Sequence, residues 1–430
     1  MPLNDPFMPF ARRLAAVAAF ALPVSLGAQT NVCAPTRNMK AAGTSGAVTP
    51  AEVCRVLSVL AADSLEGRGT GTRGGAKAAR FIAEEFKAAG LEPAGDSGYF
   101  QRVPIVMTDR GGRMAASAVA SFEARDTFPA TRRGIAVNVV GILRGSDPVL
   151  KDSVVLVDAH YDHLGMIAKA VDVDSARAYE LLAGPIRNER AKWAQANGVS
   201  TRGRGGPQMT DEQRAKLAGF QARLDSVRVN MDSLRRAHPV AHRDSIYNGA
   251  DDDAAGTTAV IEIAKQLARG PRPKRTIVFA ATTGEEVGLI GTNWYIKHPA
   301  KPLTSMEANL EIEMIGRPDS LAGGAGRAWL TGFERSTMGS MFAAAGLAVV
   351  PDKRPEQSFF TRSDNIAFAR MGIPAHTLST FNLHTDYHQL TDEVEAIDFA
   401  HMAGVINVGV KAVGLLANGP APTWNPGGKP

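Results

Sequence analysis

The stretch VVLVDAHYDH at residues 154–163 decides the predicted fold. Its first six residues, 154–159, form a short and almost continuous apolar run, which is typical of a strand buried on both faces of a parallel sheet. His160 follows directly, and Asp162 and His163 come within the next three positions. Open parallel sheets bind ligands beyond the carboxyl ends of their strands. The stretch therefore predicts a central strand and, at its end, one part of a functional site.

Further strands and helices alternate along the chain. Short apolar runs predict three more strands, at residues 276–282, 309–315 and 374–379. Residues 254–267 have the spacing of a helix with one buried face, and a last helix is expected from about Asp398, a good N-cap, to Ala417. This alternation predicts an α/β fold, a three-layer sandwich with a mixed, mostly parallel central sheet and helices on both faces.

One long segment, residues 166–247, interrupts the alternation. It is charged and mostly helical in pattern, so we expect a helical insertion into one catalytic domain. That domain would consist of residues 29–165 and 248–419, and residues 420–430, rich in Pro and Gly, would form a flexible tail.

The insertion contains a helix signal. Thr210 and Gln213 have the spacing of a capping box, and the apolar residues from Leu217 to Leu234 recur at steps of three and four. This narrow stripe predicts one helix packed along its length against a partner. Internal packing is the main interpretation, and a lid over a cleft or a dimer contact is the alternative. Residues 201–208 predict a flexible break.

The N-terminus has the pattern of an export signal. Two arginines precede an apolar stretch at 14–26, and small residues end at Ala28, so we assign residues 1–28 to a cleaved signal peptide. An uncleaved anchor is the alternative, although the stretch is short for a membrane span. We expect the protein to be exported, either periplasmic or secreted.

The chain has two cysteines, Cys33 and Cys54. In an exported protein an isolated pair predicts a disulfide, which would attach the mature N-terminus to the helix expected to begin at Pro50. Lipid attachment at Cys33 is the alternative, but the run of small residues that usually precedes a lipidated cysteine is missing.

Bulk composition excludes other classes of protein. Hydrophobic residues make up 44% of the chain, which allows a sizeable core and argues against disorder. The net charge of +5 is small for 430 residues, and no run of Lys and Arg forms a nucleic-acid-binding patch. We therefore expect no nucleic-acid partner. We also expect no further membrane span, and hence no stable membrane insertion after signal cleavage. The oligomeric state stays open.

Five short motifs contain nearly every residue that is able to bind a metal ion. They are AHYDH at 159–163, NGADDDAAG at 248–256, TGEEVG at 283–288, EIEMIGR at 311–317 and DYHQLTD at 386–392. Any one of them alone is weak, because a Glu-Glu pair or an Asp-rich turn is more often a solvated helix start or a cap. The ordered set predicts a metal site, and imidazole and carboxylate are ligands that zinc favours.

The motifs supply enough ligands for two zinc ions. A metal pair roughly 3.5 Å apart needs a bridging carboxylate, plus one His and one acid for each ion. The matching set is His160, Asp252, Glu286, Glu313 and His388. Glu285 remains, next to a ligand, where it is able to accept a proton from a metal-activated water molecule. We therefore expect a hydrolase with two Zn²⁺ ions as cofactors.

With these residues, the chain resembles the co-catalytic di-zinc aminopeptidases of the bacterial leucyl aminopeptidase type. Their superfamily also includes glutamate carboxypeptidases and glutaminyl cyclases. The resemblance covers about 48–417 apart from the insertion, and it includes LEGRGTG at 65–71. It implies a zinc metallopeptidase, and most closely an aminopeptidase that removes N-terminal residues from peptides.

The resemblance also implies how the metal ligands are shared. Asp252 matches the bridging aspartate. His160 and Glu313 would complete one ion, and Glu286 and His388 the other. The family commonly has Asp where this chain has Glu313, which puts the metal spacing or affinity in doubt. The insertion is a second departure, since the family interval before the bridging Asp is far shorter.

Further roles follow from the same resemblance. Glu285 matches the general base, and Asp162 is expected to hold His160 through its second ring nitrogen. Asp253 would support the site from outside the ligand shell, and the peptide bond that precedes Asp253 is often cis in the family.

Several assignments stay open. His163 and His384 are alternative ligands, although we favour a place on the surface or outside the ligand shell for both. Asp364 lies in a segment that resembles one near the family's site, and it would either stabilise a loop or touch the substrate.

Two other functions compete with an aminopeptidase. A carboxypeptidase of the glutamate carboxypeptidase type needs a cationic pocket, for which Arg317 and Arg362 are available. A cyclase fits less well because such enzymes commonly use one metal. A catalytically inactive binding module is the other alternative, but no expected ligand is missing.

Overall fold

The computed structural model describes residues 32–109, 114–199 and 209–430. The expected signal peptide at 1–28 and the expected break at 201–208 lie outside the described residues.

Twelve strands are present in the described residues. In chain order they are β1 (Glu92–Pro93), β2 (Phe100–Asp109), β3 (Met114–Ala118), β4 (Arg133–Leu143), β5 (Val154–His160), β6 (Gly165–Asp172), β7 (Arg243–Tyr247), β8 (Thr276–Thr282), β9 (Met306–Glu313), β10 (Ala328–Leu330), β11 (Val349–Pro351) and β12 (Ala375–Ser379). The helices are α1 (Pro50–Leu60), α2 (Arg73–Ala88), α3 (Phe122–Asp126), α4 (Val173–Ala196), α5 (Asp211–Asp225), α6 (Met231–Ala237), α7 (Gly256–Arg269), α8 (Ile290–Lys297), α9 (Thr337–Ala344), α10 (Asn365–Arg370) and α11 (Phe399–Asn418).

Ten of the strands form one mixed sheet, in the order β11-β10-β12-β9-β5-β8-β4-β2-β3 with β1 beside β4. The central strands β12, β9, β5 and β8 are parallel neighbours. Antiparallel pairing joins β8 to β4, β4 to β2, β2 to β3 and β10 to β12. The predicted α/β fold with a mixed central sheet is confirmed, although five of the nine strand pairs in the described sheet are antiparallel and not the expected minority. Three of the four parallel pairs lie at the centre, where the ends of β5, β8 and β9 lie side by side.

The sheet is buried on both faces. Successive residues of a strand point to opposite faces, so Val155 and Val157 pack into the core beneath α1, α2, α7 and α11, while Leu156 faces the other side. There it meets Tyr295 of α8 and Phe368 of α10. Burial on both faces explains why β5 is continuously apolar in sequence.

Helix α11 passes the length and hydropathy requirements for a membrane span, contrary to the expectation that no such segment follows the signal. Most of it is buried, and it packs against α1 and α7. Asp398 caps its N-terminus by accepting a hydrogen bond from the His401 N–H, as predicted. Its apolar character is therefore that of a core helix.

The predicted disulfide between Cys33 and Cys54 is present. Cys54 lies in α1, which begins at Pro50 after a capping box of Thr49 and Glu52. The bond therefore attaches the segment before α1 to a helix of the main core.

The insertion begins with β6 and ends with β7, which pair with each other in a separate antiparallel sheet. The capping box at Thr210 and Gln213 is confirmed. The expectation of one helix from Leu217 to Leu234 is wrong, because α5 ends at Asp225 and α6 begins only at Met231. Between them lie two β-branched valines, followed by an asparagine that caps α6.

Candidate metal centre

The predicted site residues come from segments that end at one edge of the sheet. Two of them are the last residues of neighbouring parallel strands, His160 of β5 and Glu313 of β9. Glu285 and Glu286 follow β8, and the remaining two lie in a π-helical turn before α7 (Asp252) and in the loop after β12 (His388). The parallel order of the central strands thus assembles side chains that are far apart in sequence.

One carboxylate oxygen of Asp252 faces a first group of ligand atoms. Its Oδ1 lies 3.4 Å from Nε2 of His160, and that nitrogen lies 3.9 Å from Oε1 of Glu313. His160 and Asp252 are buried, and these three residues are placed to share a metal ion. Glu313 reaches the group although it is one methylene longer than the aspartate common in the family.

The other oxygen of Asp252 faces a second group. Nε2 of His388 lies 3.1 Å from Oδ2 of Asp252 and 3.1 Å from Oε2 of Glu286. Asp252 thus presents one oxygen to each group, which is the geometry required of a carboxylate that bridges two ions.

The side chains present fit a divalent cation. Nε2 of His160, Oδ2 of Asp252 and Oε1 of Glu286 are buried and have no hydrogen-bond partner within the described part of the chain. Buried polar atoms normally find a partner, since leaving one unsatisfied costs about 1–3 kcal/mol. Nitrogen and carboxylate oxygen atoms are the donors that zinc binds. One cation in each of the two groups would satisfy all three atoms.

The charges of the cluster support the same fit. Burial raises the pKa of Asp252, but the His160 and His388 imidazoles outweigh it and hold that pKa well below its ordinary value. Burial raises the pKa of Glu285 well above its ordinary value; the His160 imidazole opposes this rise, and the carboxylates of Glu286 and Glu313 add to it. A cation among these carboxylates would offset their mutual repulsion.

The structure differs from the expectation for Asp162. Nδ1 of His160 lies 3.0 Å from the main-chain oxygen of Asp162 and 3.8 Å from its carboxylate, so the carbonyl holds the imidazole. The carboxylate instead accepts hydrogen bonds from the Thr70 hydroxyl at 2.7 Å and from the Glu285 N–H at 3.1 Å. Asp162 therefore orients the ring with its main chain and the backbone of Glu285 with its side chain.

Asp253 supports the site from behind. Its Oδ1 accepts hydrogen bonds from the Gly256 N–H at 2.8 Å and from the Met314 N–H at 3.0 Å, next to Glu313. The peptide bond between Asp252 and Asp253 is cis. Asp253 thus joins the turn that carries Asp252 to the end of β9.

A second acidic residue holds the same turn. The carboxylate of Asp392 accepts hydrogen bonds from the N–H groups of Asp251, at 3.0 and 3.1 Å, and of Asp252, at 3.0 Å. His384, predicted to lie on the surface or outside the ligand shell, contacts Oδ2 of Asp251 through Nε2 at 3.0 Å. His384 therefore contacts the residue that directly precedes Asp252.

The structure places two of the three other candidates away from the ligand positions. Asp364 is buried and accepts a 2.6 Å hydrogen bond from the Thr282 hydroxyl at the end of β8, so it stabilises a loop. Arg317 pairs with Asp386 at 2.6 Å. Arg362, in contrast, lines the cleft that contains the metal ligands.

His163 lies inside the cluster and not at the surface. Its side chain is fully buried, and its Nδ1 lies 2.8 Å from Oε1 of Glu286 and 3.9 Å from Oδ2 of Asp252. The sequence marked it as an alternative ligand. The spacing of the AHYDH motif could not show that its ring turns inwards.

Two further features had no clear sequence signal. An aromatic wall formed by Trp329, Phe359, Phe381 and Tyr387 lines the cleft beside Glu285. Arg68 is buried, and its guanidinium donates to the main-chain oxygens of Tyr161 at 2.7 Å, Leu60 at 2.6 Å, Asn248 at 2.5 Å and Gly249 at 2.9 Å. Arg68 lies within the LEGRGTG segment, which was the only hint of its importance.

The fold and the cluster define a protein with a metal centre at the carboxyl edge of an α/β sheet. Residues 225–412 match the model of peptidase family M28. The matched region contains Asp252, Glu285, Glu286, Glu313 and His388. His160 lies before it and is brought to the same site by β5.

Known proteins share parts of this chain. It is 36% identical over 81 residues to a probable zinc metalloprotease of Pyrenophora tritici-repentis, covering 19% of this chain and 17% of the relative. It is 28% identical over 123 residues to the aminopeptidase YwaD of Bacillus subtilis, covering 26% and 27%. The chain thus spans less than a third of the length of either relative.

A solved structure extends the likeness to most of the chain. The zinc aminopeptidase BSAP of Bacillus subtilis superimposes with a TM-score of 0.53 at 14% identity, covering 86% of this chain and 96% of that one. At this identity the likeness shows the shared fold.

Proposed function

We propose that this protein is a metal-dependent exopeptidase, an aminopeptidase that hydrolyses N-terminal residues from peptides with two zinc ions and Glu285 as general base. The observation that carries the proposal is the position of Asp252, whose two oxygens face two separate groups of ligand atoms within one cleft. The match of residues 225–412 to the model of peptidase family M28 and the similarity to an aminopeptidase from Bacillus subtilis support it.

In this proposal the ligands divide around the bridging Asp252. His160 and Glu313 would hold the first ion, and Glu286 and His388 would hold the second. Two zinc ions supply Lewis acidity, which makes a water molecule more acidic and polarises the scissile carbonyl group.

Glu285 performs the proton transfers. It lines the cleft with Asp252 and Glu313, and Asp162 fixes its backbone N–H. Its carboxylate accepts the proton of the attacking water and then donates it to the nitrogen of the leaving amine. Asp162 orients both Glu285 and His160, so the proton acceptor and one metal ligand share a single support.

The cleft suits a peptide with a free N-terminus. Its carboxylates favour a cationic α-ammonium group, and its aromatic wall offers apolar contact to the first side chain. Such contacts would bring the first peptide bond of the substrate next to Glu285.

The insertion is proposed to contact the remainder of the peptide. A groove of about 720 Å³ lies between α4, which contributes Arg187 and Asn188, and the loop that carries Tyr387. Arg362, Phe381 and Tyr387 line both this groove and the cleft. Because the groove shares these residues with the cleft, α4 of the insertion would act as a wall of an extended peptide site attached to one catalytic domain.

Export to the periplasm or the medium is part of the proposal. The disulfide between Cys33 and Cys54 supports an oxidising compartment, because reducing compartments keep such cysteines in the reduced thiol form.

The second candidate is a carboxypeptidase. Arg362 lines the cleft and lies over the Phe359 ring at 5.1 Å, where its guanidinium is able to pair with a substrate carboxylate. Arg317 forms an ion pair with Asp386, so of these two arginines it is Arg362 that favours the carboxypeptidase hypothesis.

The test compares aminoacyl-nitroanilides with C-terminal glutamyl peptides, with and without a chelator. We expect nitroanilide cleavage that the chelator abolishes and zinc restores. Glu285→Ala should keep both metal ions and lower kcat by roughly 10²- to 10⁴-fold. Glu84→Ala, which removes an exposed carboxylate of α2, is the matched control. Normal turnover by Glu285→Ala, or hydrolysis that ignores chelation, would contradict the proposal.

A further inference from the structure

His163 is a buried histidine that the proposed reaction leaves without a role. Its side chain is fully buried, and neither ring nitrogen has a hydrogen-bond partner among the residues that the structure describes. An imidazole in this state needs a partner that the described polypeptide does not supply.

The contact between His163 and Glu286 is informative. Nδ1 of His163 lies 2.8 Å from Oε1 of Glu286, yet neither atom has a hydrogen-bond partner within the described residues. Two electron-pair donors that approach each other without a hydrogen bond have the arrangement of atoms converging on a common third atom.

The distances meet the limit for a shared ion. Zinc binds nitrogen and oxygen at about 2.0–2.2 Å, so two ligands of one ion lie at most about 4.4 Å apart. Nδ1 of His163 is 2.8 Å from Glu286 and 3.9 Å from Asp252. His388 is 3.1 Å from the same two residues. His163, Asp252 and Glu286 are thus grouped as closely as His160, Asp252 and Glu313.

The neighbouring backbone leaves space for this imidazole. A Cβ on Gly249 would lie 2.5 Å from ring atoms of His163, and Gly249 has a left-handed φ of +53° that other residues adopt at a cost. Glycine at position 249 therefore allows the ring to lie against the turn that carries Asp252.

We infer that His163 is a fourth protein ligand of the second zinc ion, together with Asp252, Glu286 and His388. The inference rests on the proposed function for the metal pair. It makes the two ions unequal. The first, with three protein ligands, keeps an open position for water and substrate, as catalytic zinc sites do, whereas the second has the four ligands of a closed site.

The test uses His163→Asn, because the asparagine amide keeps a hydrogen-bond donor near the position of Nδ1 and removes the imidazole. Zinc affinity is measured by competition with a chromophoric chelator. We expect one of the two ions to bind more than 100-fold more weakly, beyond the roughly 10- to 100-fold lost when a group outside the ligand shell is removed. The other ion should be unaffected. His238→Ala, which changes a half-exposed histidine of the insertion, should bind both ions normally.

Zinc X-ray absorption spectroscopy counts the imidazole ligands of the bound ions directly. The measurement on the wild-type protein stays valid even if the variant fails to fold. We expect three imidazoles shared by two ions in the wild type and two in His163→Asn. Two bound ions with only two imidazoles, or normal affinity of His163→Asn, would overturn this inference and leave the proposed function standing. A wild-type protein that binds fewer than two ions would overturn both.

Discussion

Replacement of Arg68 by methionine should destabilise the fold and loosen the metal centre together. The guanidinium of Arg68 joins three segments through main-chain oxygens, at the end of α1, after β5 and before the turn that carries Asp252. Tyr161 directly follows the ligand His160, and Gly249 lies three residues before Asp252. One buried side chain therefore fixes the distance between two segments that supply metal ligands.

The size of the effect follows from the number of lost hydrogen bonds. Bonds from a charged donor contribute about 1.5–3 kcal/mol each, and losses within one group are not additive. Methionine fills part of the volume but donates to none of the four oxygens. We therefore expect Arg68→Met to lower the free energy of unfolding by about 3–6 kcal/mol. An unfolding entropy of about 2.1 cal/mol/K per residue gives about 0.9 kcal/mol/K for this chain, so Tm should fall by about 3–7 °C.

Thermal unfolding followed by circular dichroism measures this change, and competition with a chelator measures zinc affinity in the same preparation. Arg73→Met is the control, because Arg73 is an exposed arginine of α2 that pairs with Glu66. That change should shift Tm by less than 1 °C, as about 0–1 kcal/mol is typical of exposed pairs. If Arg68→Met kept the Tm and the zinc affinity of the wild type, Arg68 would not anchor the site.

Three further predictions concern stability. The double variant Cys33→Ser/Cys54→Ser should have a free energy of unfolding about 3 kcal/mol lower than the wild type, because the disulfide closes a loop with a sequence separation of 21. A reductant should then have no further effect on the Tm of this variant. Burial raises the pKa of Glu393 to about 8, so between about pH 5 and pH 8 the folded protein retains a proton that the unfolded chain releases, and stability falls as pH rises. Glu393→Gln should therefore raise Tm more at pH 8 than at pH 5, and an equal effect at both would contradict this cause. Chelation of zinc should lower Tm by about 3 °C for each site that was held at a hundredfold its Kd, and zinc, but not magnesium, should restore it.

The main ligand positions were predictable because the parallel strands order them. His160 and Glu313 are the last residues of two apolar runs, and neighbouring parallel strands end at the same edge of a sheet. Once β5 and β9 are recognised as strands, their terminal side chains are expected to meet. The position of Asp252 follows similarly from the start of α7.

The walls of the cleft were not predictable in this way. Phe359 stacks on Trp329 and meets Phe381 edge to face, yet the three rings come from three segments with no common spacing. The role of Arg68 also depends on which carbonyl groups the finished fold leaves without partners, and a sequence pattern does not contain that information. The inward rotation of His163 is a matter of tertiary packing for the same reason.

The insertion shows why a long interruption between His160 and Asp252 leaves the site intact. Gly165 and Tyr247 pair directly across β6 and β7, so the chain leaves and returns at one point. Loop closure costs grow slowly with length, and adjacent ends transmit little strain to the sheet.

The junction is also tightly packed, because a Cβ on Gly67 would lie 2.4 Å from the Gly165 oxygen and 2.6 Å from the Tyr247 oxygen. Gly67→Ala should therefore disturb the base of the insertion and the adjacent Arg68 together, lowering peptide affinity and Tm. Gly98 has a similarly left-handed φ, but a Cβ at that position would meet no other atom. Gly98→Ala therefore measures the cost of the backbone conformation alone. Equal effects of the two changes would show that packing at this junction does not matter.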